Sequence, residues 1–128
     1  MQLAIEIVFR SEEWRDEVER FGHSSTPRVQ AQKARRMIEA GGSRLRWKRC
    51  RAEDRPSGTR LRHCLKLYVP LDKEGASDAP YGFVFQLQRM RDGSPMLNFI
   101  AFGERHPDNP ATRTVYERAH KRLHGRYP

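Results

Sequence analysis

The chain has 128 residues, enough for one domain with its own hydrophobic core. Apolar residues make up 37% of it, and 25 Lys and Arg face 16 Asp and Glu, for a net charge of +9. This apolar content argues against a disordered chain, and no apolar run approaches the ~18 residues of a membrane span. The first residues lack a basic segment followed by a long apolar run, so we expect no secretory signal and a cytoplasmic protein. Two cysteines do not make a disulfide framework.

The positive charge is concentrated in the middle of the chain. Residues 25–70 carry 13 bases and 3 acids, whereas residues 1–24 carry 6 acids and 3 bases. A concentrated basic segment indicates a polyanionic partner, and RNA or the ribosome is the first candidate. A GC-rich genome, which favours arginine codons, would give the same excess without a binding role.

The N-terminal third predicts one strand and two helices. Alternating apolar residues predict a strand over 1–10. Ser11 is expected to cap a helix over 11–21, and Thr26-Pro27 to begin a second helix that reaches residue 40. The residues expected to pack these helices on a sheet are Trp14, Val18, Phe21, Met37 and Ile38.

The remainder predicts a sheet and a last helix. A short strand near residue 47 is followed by strands over 59–69, 81–90 and 96–103, the last two joined by a hairpin turn. Thr114 and Glu117 form a capping box that opens a helix, which Gly125 ends. We therefore expect one α+β domain over residues 1–128, an N-terminal strand and helical hairpin packed on an antiparallel meander, with the helices on one sheet face.

The titratable residues do not suggest a metal site or a cofactor. His120 and His124 lie four residues apart on the last helix, but nothing supplies further ligands in order, and a solvated basic helix explains the pair. Cys64 is expected to be a small filler of the strand rather than a reactive thiol. We therefore predict neither a bound metal nor a cofactor.

Cationic residues form the more informative group. In the alternation of 59–69, Arg60, Arg62 and Lys66 fall on one strand face, while Arg105 and His106 end the last strand. With Tyr116 at the start of the last helix, such a set can bind a phosphodiester, or cleave RNA without a metal by attack of the 2′-hydroxyl. In the alternative interpretation Arg105 pairs with a nearby carboxylate and Tyr116 packs on the sheet.

Three motifs resemble the RelE/ParE superfamily of toxins from toxin–antitoxin systems. The strand Tyr81–Leu87 is similar to the family's tyrosine-arginine-leucine-valine-tyrosine strand. The strand and its end at Phe99–His106 are similar to the strand that ends in glycine-x-arginine, and Val115–Leu123 to the terminal helix that opens on valine-tyrosine. The resemblance implies a RelE-like fold, with extra segments at about 44–60 and 70–80.

The resemblance also implies site residues. Arg105 corresponds to the family's phosphate-binding arginine, Tyr116 to the tyrosine that acts near the 2′-hydroxyl, and Lys66 to one lysine of the basic strand. The partner lysine falls on Cys64, and the arginine of the tyrosine-arginine strand falls on Gly82. The full predicted catalytic set is Arg105, Tyr116, His106 and Lys66, and the predicted RNA contacts are Arg60, Arg62, Arg118, Lys121 and Arg122.

RelE-branch members cleave mRNA on the ribosome, so the resemblance implies a toxin-type endoribonuclease, with a small acidic antitoxin as a possible protein partner. Two alternatives stay open. The first is a non-enzymatic module that binds RNA, the ribosome or a protein, and the second is a ParE-like inhibitor of DNA gyrase. Because Cys64 and Gly82 replace expected cations, we predict slow cleavage of RNA.

Overall fold

Five strands form one mixed sheet, and two further strands form a small ribbon beside it. The computed structural model describes residues 5–71 and 78–128, with Ser43 described in its backbone only. The sheet consists of β1 (Glu6–Val8), β2 (Lys48–Arg49), β5 (Cys64–Val69), β6 (Tyr81–Arg89) and β7 (Pro95–Glu104), and the ribbon of β3 (Glu53–Asp54) and β4 (Thr59–Arg60). The helices are α1 (Ser11–Glu17), α2 (Thr26–Gly41) and α3 (Val115–His124), with a 3₁₀ turn at Gly42–Arg44.

The strand order is β1-β7-β6-β5-β2, in which β1 runs parallel to β7 and the other neighbours are antiparallel. The α+β class, the β5-β6-β7 meander and the C-terminal helix are therefore confirmed, whereas the ribbon of β3 and β4 was not predicted. Part of the expected first strand (residues 1–4) and most of the expected extra segment at 70–80 (residues 72–77) lie outside the described residues. No helix in the described ranges is long and apolar enough to cross a membrane.

Helices cover both faces of the sheet, and apolar side chains of β6 are buried on both faces. Phe83 and Phe85 lie in the core formed with α1 and α2, whereas Val84 lies in the core formed with α3. The two N-terminal helices share one face, as predicted, but the expectation that all helices share it is wrong. Strands whose two faces are both buried read as nearly continuous apolar runs, and the YGFVF run of β6 is such a case.

The helix starts and the packing residues differ from the prediction in detail. Ser11 is the first residue of α1 rather than its cap, since Arg10 occupies the cap position and no side chain caps the helix. In α2, Ala31, Ala34 and Ile38 are buried against the sheet, whereas Met37 is 37% exposed. The small alanines allow α2 to approach the sheet closely, so the larger Met37 is not needed there.

The predicted turns at the C-terminal end are present. The β6–β7 hairpin closes at Gly93, which has a φ of +86°, and Gly125 ends α3 with a φ of +79°. The Thr114 side chain accepts from the Glu117 amide at 3.1 Å, and the Glu117 carboxylate accepts from the Thr114 amide at 2.9 Å. This capping box fixes the first turn of α3, which carries Tyr116.

The predicted strand over 59–69 is broken into two elements. Thr59–Arg60 pairs with Glu53–Asp54 in the ribbon, the chain turns at His63 with a φ of +62°, and β5 begins only at Cys64. The turn places Leu61, which is 2% exposed, in the core under α3 rather than beside Leu65 and Leu67. Arg60 and Arg62 therefore do not share a strand face with Lys66, and that prediction is wrong.

Candidate active site

A cleft of about 310 Å³ opens on the α3 side of the sheet, and it contains the predicted catalytic residues. Lys66 reaches it from β5, Arg105 and His106 from the end of β7, and Tyr116 from the first turn of α3. These residues come from three separate parts of the sequence. The antiparallel register brings the start of β6 beside the end of β7, and the capping box holds α3 above both.

Arg105 is the most buried of the four, with 7% of its surface exposed. Its Nε donates to the Tyr116 hydroxyl at 3.3 Å, and its Nη1 donates to the Ala79 carbonyl at 2.9 Å. The guanidinium also stacks on the Tyr68 ring, 3.6 Å from the ring centroid. Arg105 thus fixes the orientation of Tyr116 and adds its charge from the wall of the cleft.

Tyr68 organises the cations of the β5 wall, and the sequence interpretation did not single it out. Besides Arg105, the Nζ atoms of Lys48 and Lys66 lie 4.6 and 5.5 Å from its ring centroid. Lys66 is also 5.1 Å from the Tyr116 ring centroid, so it lies between the two tyrosines. The sequence did contain a signal for the position of Tyr68. Tyr68 follows Lys66 by two residues, which puts both side chains on the same face of the strand.

The ribbon also lines the cleft and adds hydroxyl and carboxylate groups to it. Asp54 accepts from the Ser57 hydroxyl at 2.5 Å and from Arg51 at 3.4 Å. The Ser57 hydrogen bond, assisted by the Arg51 charge, lowers the pKa of Asp54. The ribbon corresponds to the extra segment expected at about 44–60, so sequence reasoning located this segment but gave it no role in the site.

Neither position where the resemblance expects a further cation provides one. Cys64 is buried, and burial raises the pKa of its thiol to about 12. A Cβ built on Gly82 would lie 3.4 Å from the Arg105 side chain and 3.5 Å from that of Val115. A Cβ at residue 82 would thus be in ordinary van der Waals contact, and only a longer side chain would compete with Arg105 for space. The filler role predicted for Cys64 is confirmed by its burial.

The predicted RNA contacts on α3 are engaged elsewhere in the fold. Arg118 and Arg122 both donate to the buried Glu17 carboxylate, at 2.8 and 3.1 Å. Burial, together with the neighbouring charge of Arg118, lowers the pKa of Arg20 at the same cluster to about 10. Lys121 lies 4.5 Å from the ring centroid of Tyr127.

Arg60 and Arg62 line a separate groove with His124. The five predicted RNA contacts are therefore divided between two surfaces, because Arg118, Lys121 and Arg122 line a different pocket, beside Glu17.

The sequence suggested that His120 belongs to a solvated helix face, and this is wrong. It is 2% exposed, and its Nδ1 accepts from the Arg60 amide at 3.0 Å. Across the described ranges, no group of three or more His, Cys, Asp or Glu side chains could hold a metal ion.

Comparison of the chain with protein-family models, with curated proteins and with solved structures finds no match. The geometry of the cleft and the motif resemblance are thus the basis for a functional proposal.

Proposed function

We propose that this protein is a metal-independent endoribonuclease of the RelE toxin type that acts on ribosome-bound mRNA. The observation that carries the proposal is that Lys66, Arg105, His106 and Tyr116 line one cleft. These are the side-chain types that cleavage of a phosphodiester needs: cations for the negative charge of the transition state, and two groups that transfer protons. The resemblance of the motifs to RelE toxins adds the class of substrate.

The proposed reaction is a transfer within the RNA chain. The 2′-hydroxyl oxygen forms a bond to phosphorus, its proton passes to a base, and the bond from phosphorus to the 5′-oxygen breaks while an acid protonates that oxygen. The products are a 2′,3′-cyclic phosphate and a 5′-hydroxyl, and no co-reactant is consumed. The cleft has to supply a base, an acid and charge for the extra negative oxygen.

The geometry supports a distinct role for each side chain. Tyr116 acts on the 2′-hydroxyl as the base, and the Arg105 Nε–H that points at its oxygen favours the negative charge that this role requires there. His106 is exposed beside Arg105, and histidine exchanges protons near neutral pH, so it is the acid. Lys66, between the rings of Tyr68 and Tyr116, is the cation for the phosphate oxygens.

A second candidate function is a non-enzymatic RNA-binding module of the same fold. The observation that favours it is the burial of Arg105, whose Nη1 is engaged by the Ala79 carbonyl and whose plane stacks on Tyr68. An arginine held in this way contributes less to a phosphate than one that reaches into the cleft. The nuclease proposal differs from this second candidate in one expectation. Because Gly82 and Cys64 stand in place of cations, the nuclease proposal predicts a slow cleavage reaction and the binding module predicts none.

The test is cleavage of an mRNA bound to purified ribosomes by the wild type and three single variants. Lys66→Ala, Tyr116→Phe and His106→Ala should each lower the cleavage rate about a hundredfold, the usual effect of losing one group that stabilises the transition state. Arg36→Ala is the matched control, because it removes one exposed charge from α2 on the other face of the sheet.

Each variant is first compared with the wild type by circular dichroism and thermal melting, so that unfolding is not mistaken for loss of activity. If wild type and Arg36→Ala cleave while the three cleft variants do not, the proposal stands. If no protein cleaves, but the wild type binds RNA and the cleft variants bind it more weakly, the binding module replaces the nuclease. Equal cleavage by all five proteins would place the active site outside this cleft.

A further inference from the structure

Two histidines of α3 hold the backbone of a single residue of the ribbon. The His120 Nδ1 accepts from the Arg60 amide at 3.0 Å, and the His124 Nε2 lies 3.0 Å from the Arg60 carbonyl oxygen. The two imidazole rings are 4.4 Å apart, one helical turn from each other. Side chains therefore bind the same backbone groups of Arg60 that a neighbouring strand would bind.

This contact fixes one wall of the cleft. Arg60 lies between Thr59 and Leu61, and both of these neighbours line the cleft together with Lys66 and Tyr116. Leu61 donates its amide to Ala52 at 3.1 Å, a bond within the ribbon segment itself. Two kinds of contact join this segment to α3 in the described part of the chain. Leu61 is buried under α3, and Arg60 is held by hydrogen bonds to His120 and His124.

The His120 contact requires an unprotonated Nδ1. Protonation converts the acceptor into a donor that faces the Arg60 amide, so the bond is lost and two N–H groups oppose each other. The new charge would be buried and would face His124 on the same helix, Arg60 on the ribbon and Arg126 after the helix. The His124 contact differs, because an imidazolium still donates to the Arg60 carbonyl.

We infer that His120 is a positioning residue, whose neutral imidazole holds the ribbon on α3 and thereby keeps the cleft closed on that side. Acidification breaks this hydrogen bond and loosens the ribbon where it borders the cleft. Loss of the His120 hydrogen bond follows from the contacts alone, whereas its effect on RNA cleavage rests on the proposed function.

The direction of the pH dependence follows from the surroundings of the imidazole. Burial, followed by the charges of His124, Arg60 and Arg126, lowers the pKa of His120 below its ordinary value of 6.5. The folded state then binds fewer protons than the unfolded state at this residue. The stabilisation is complete above pH 6.5 and is lost as the pH falls through the lowered pKa.

The first experiment measures hydrogen exchange of the Arg60 amide by NMR at pH 7.5 and pH 5, corrected for intrinsic exchange. In the wild type its protection should fall about tenfold on acidification, the effect of losing one hydrogen bond, while the amides of β6 keep theirs. His120→Asn places an amide oxygen, which does not titrate, near the position of Nδ1, and its Arg60 protection should not depend on pH.

His124→Asn is the matched control and should retain the acid-dependent loss, because His120 is still present. Protection of Arg60 that is the same at both pH values in the wild type would overturn the inference. Acid-dependent loss that persists in His120→Asn would overturn it as well. Neither readout uses RNA, so a failure here is distinct from a failure of the proposed nuclease.

The second experiment compares mRNA cleavage at pH 7.5 and pH 5.5. Both proteins carry His106, so any effect of pH through that residue is common to both and cancels in the ratio of their rates. That ratio, His120→Asn over wild type, should rise about tenfold on acidification, in step with the exchange data. A ratio that stays constant while the Arg60 amide loses protection would show that the ribbon does not control the cleft.

Discussion

Glu17→Gln is expected to destabilise the fold more than any other conservative change on α1. The carboxylate is 3% exposed and accepts from Arg118 Nε at 2.9 Å, from Arg118 Nη2 at 2.8 Å and from Arg122 Nη2 at 3.1 Å. It also accepts from the Phe102 amide at 3.2 Å. In the described part of the chain β1 pairs with β7 at Met96–Asn98, and Glu17 binds the Phe102 amide further along β7.

The magnitude follows from what the substitution leaves behind. An amide at residue 17 can still accept from Phe102, but it no longer neutralises Arg118 and Arg122, whose side chains are 21% and 24% exposed. Removing one partner of a buried ion pair costs about 3–5 kcal/mol, and the partial exposure of the arginines favours the lower end. A loss of about 3 kcal/mol lowers the Tm of a domain of this size by roughly 12 °C.

The assay is urea unfolding followed by circular dichroism, with Glu19→Gln as the control. Glu19 pairs with Arg28 at 3.7 Å and is 38% exposed, so its substitution should cost less than about 0.5 kcal/mol. If Glu17→Gln and Glu19→Gln unfold at the same urea concentration, the Glu17 cluster does not hold α1 and α3 together, and the reasoning is refuted.

Three further predictions concern Gly82, the two cysteines and the binding of RNA. Gly82→Arg should destabilise the protein by about 1–3 kcal/mol in urea unfolding, because the new side chain displaces Arg105. Gly41→Arg is the control and should not destabilise it, because nothing lies within 4 Å of a Cβ at residue 41. Equal losses of stability in the two variants would contradict this. Burial raises the thiol pKa of Cys50 to about 11 and of Cys64 to about 12. At pH 8, Cys50 should therefore react with iodoacetamide about two hundredfold and Cys64 about two thousandfold more slowly than an exposed cysteine with a pKa of about 8.5, and labelling of either at the free rate would refute this. RNA affinity should fall with a slope of log K against log salt of about −3 to −4, for four or five phosphate contacts, and an affinity that does not depend on salt would exclude binding through charge.

Local patterns predicted much of the fold because they act over a few residues. The apolar run of β6, the hairpin turn at Gly93 and the capping box of Thr114 and Glu117 each depend on residues that are close in the sequence. The resemblance and the spacing also identified the residues that line the cleft, since Lys66 and Tyr116 hold fixed positions on regular elements.

The failures came from tertiary contacts that compete with a local pattern. The alternation of 59–69 continues through Leu61, but burial of Leu61 under α3 and the pairing of Arg60 with Glu53 turn the chain before β5 begins. Arg118 and Arg122 were predicted to contact RNA, yet both donate to a single buried carboxylate, that of Glu17. Glu17 precedes its partners by about 100 residues in the sequence, so no local pattern could show that its carboxylate would be buried against them.

The most direct test of the central claim is the chemistry of the RNA ends that the protein produces on ribosome-bound mRNA. The proposed use of the 2′-hydroxyl predicts 5′-hydroxyl and 2′,3′-cyclic phosphate ends, with cleavage abolished when the 2′-hydroxyl at the cleaved position is replaced by hydrogen. Production of 5′-phosphate ends, or cleavage that survives the 2′-deoxy substitution, would contradict the account of the cleft.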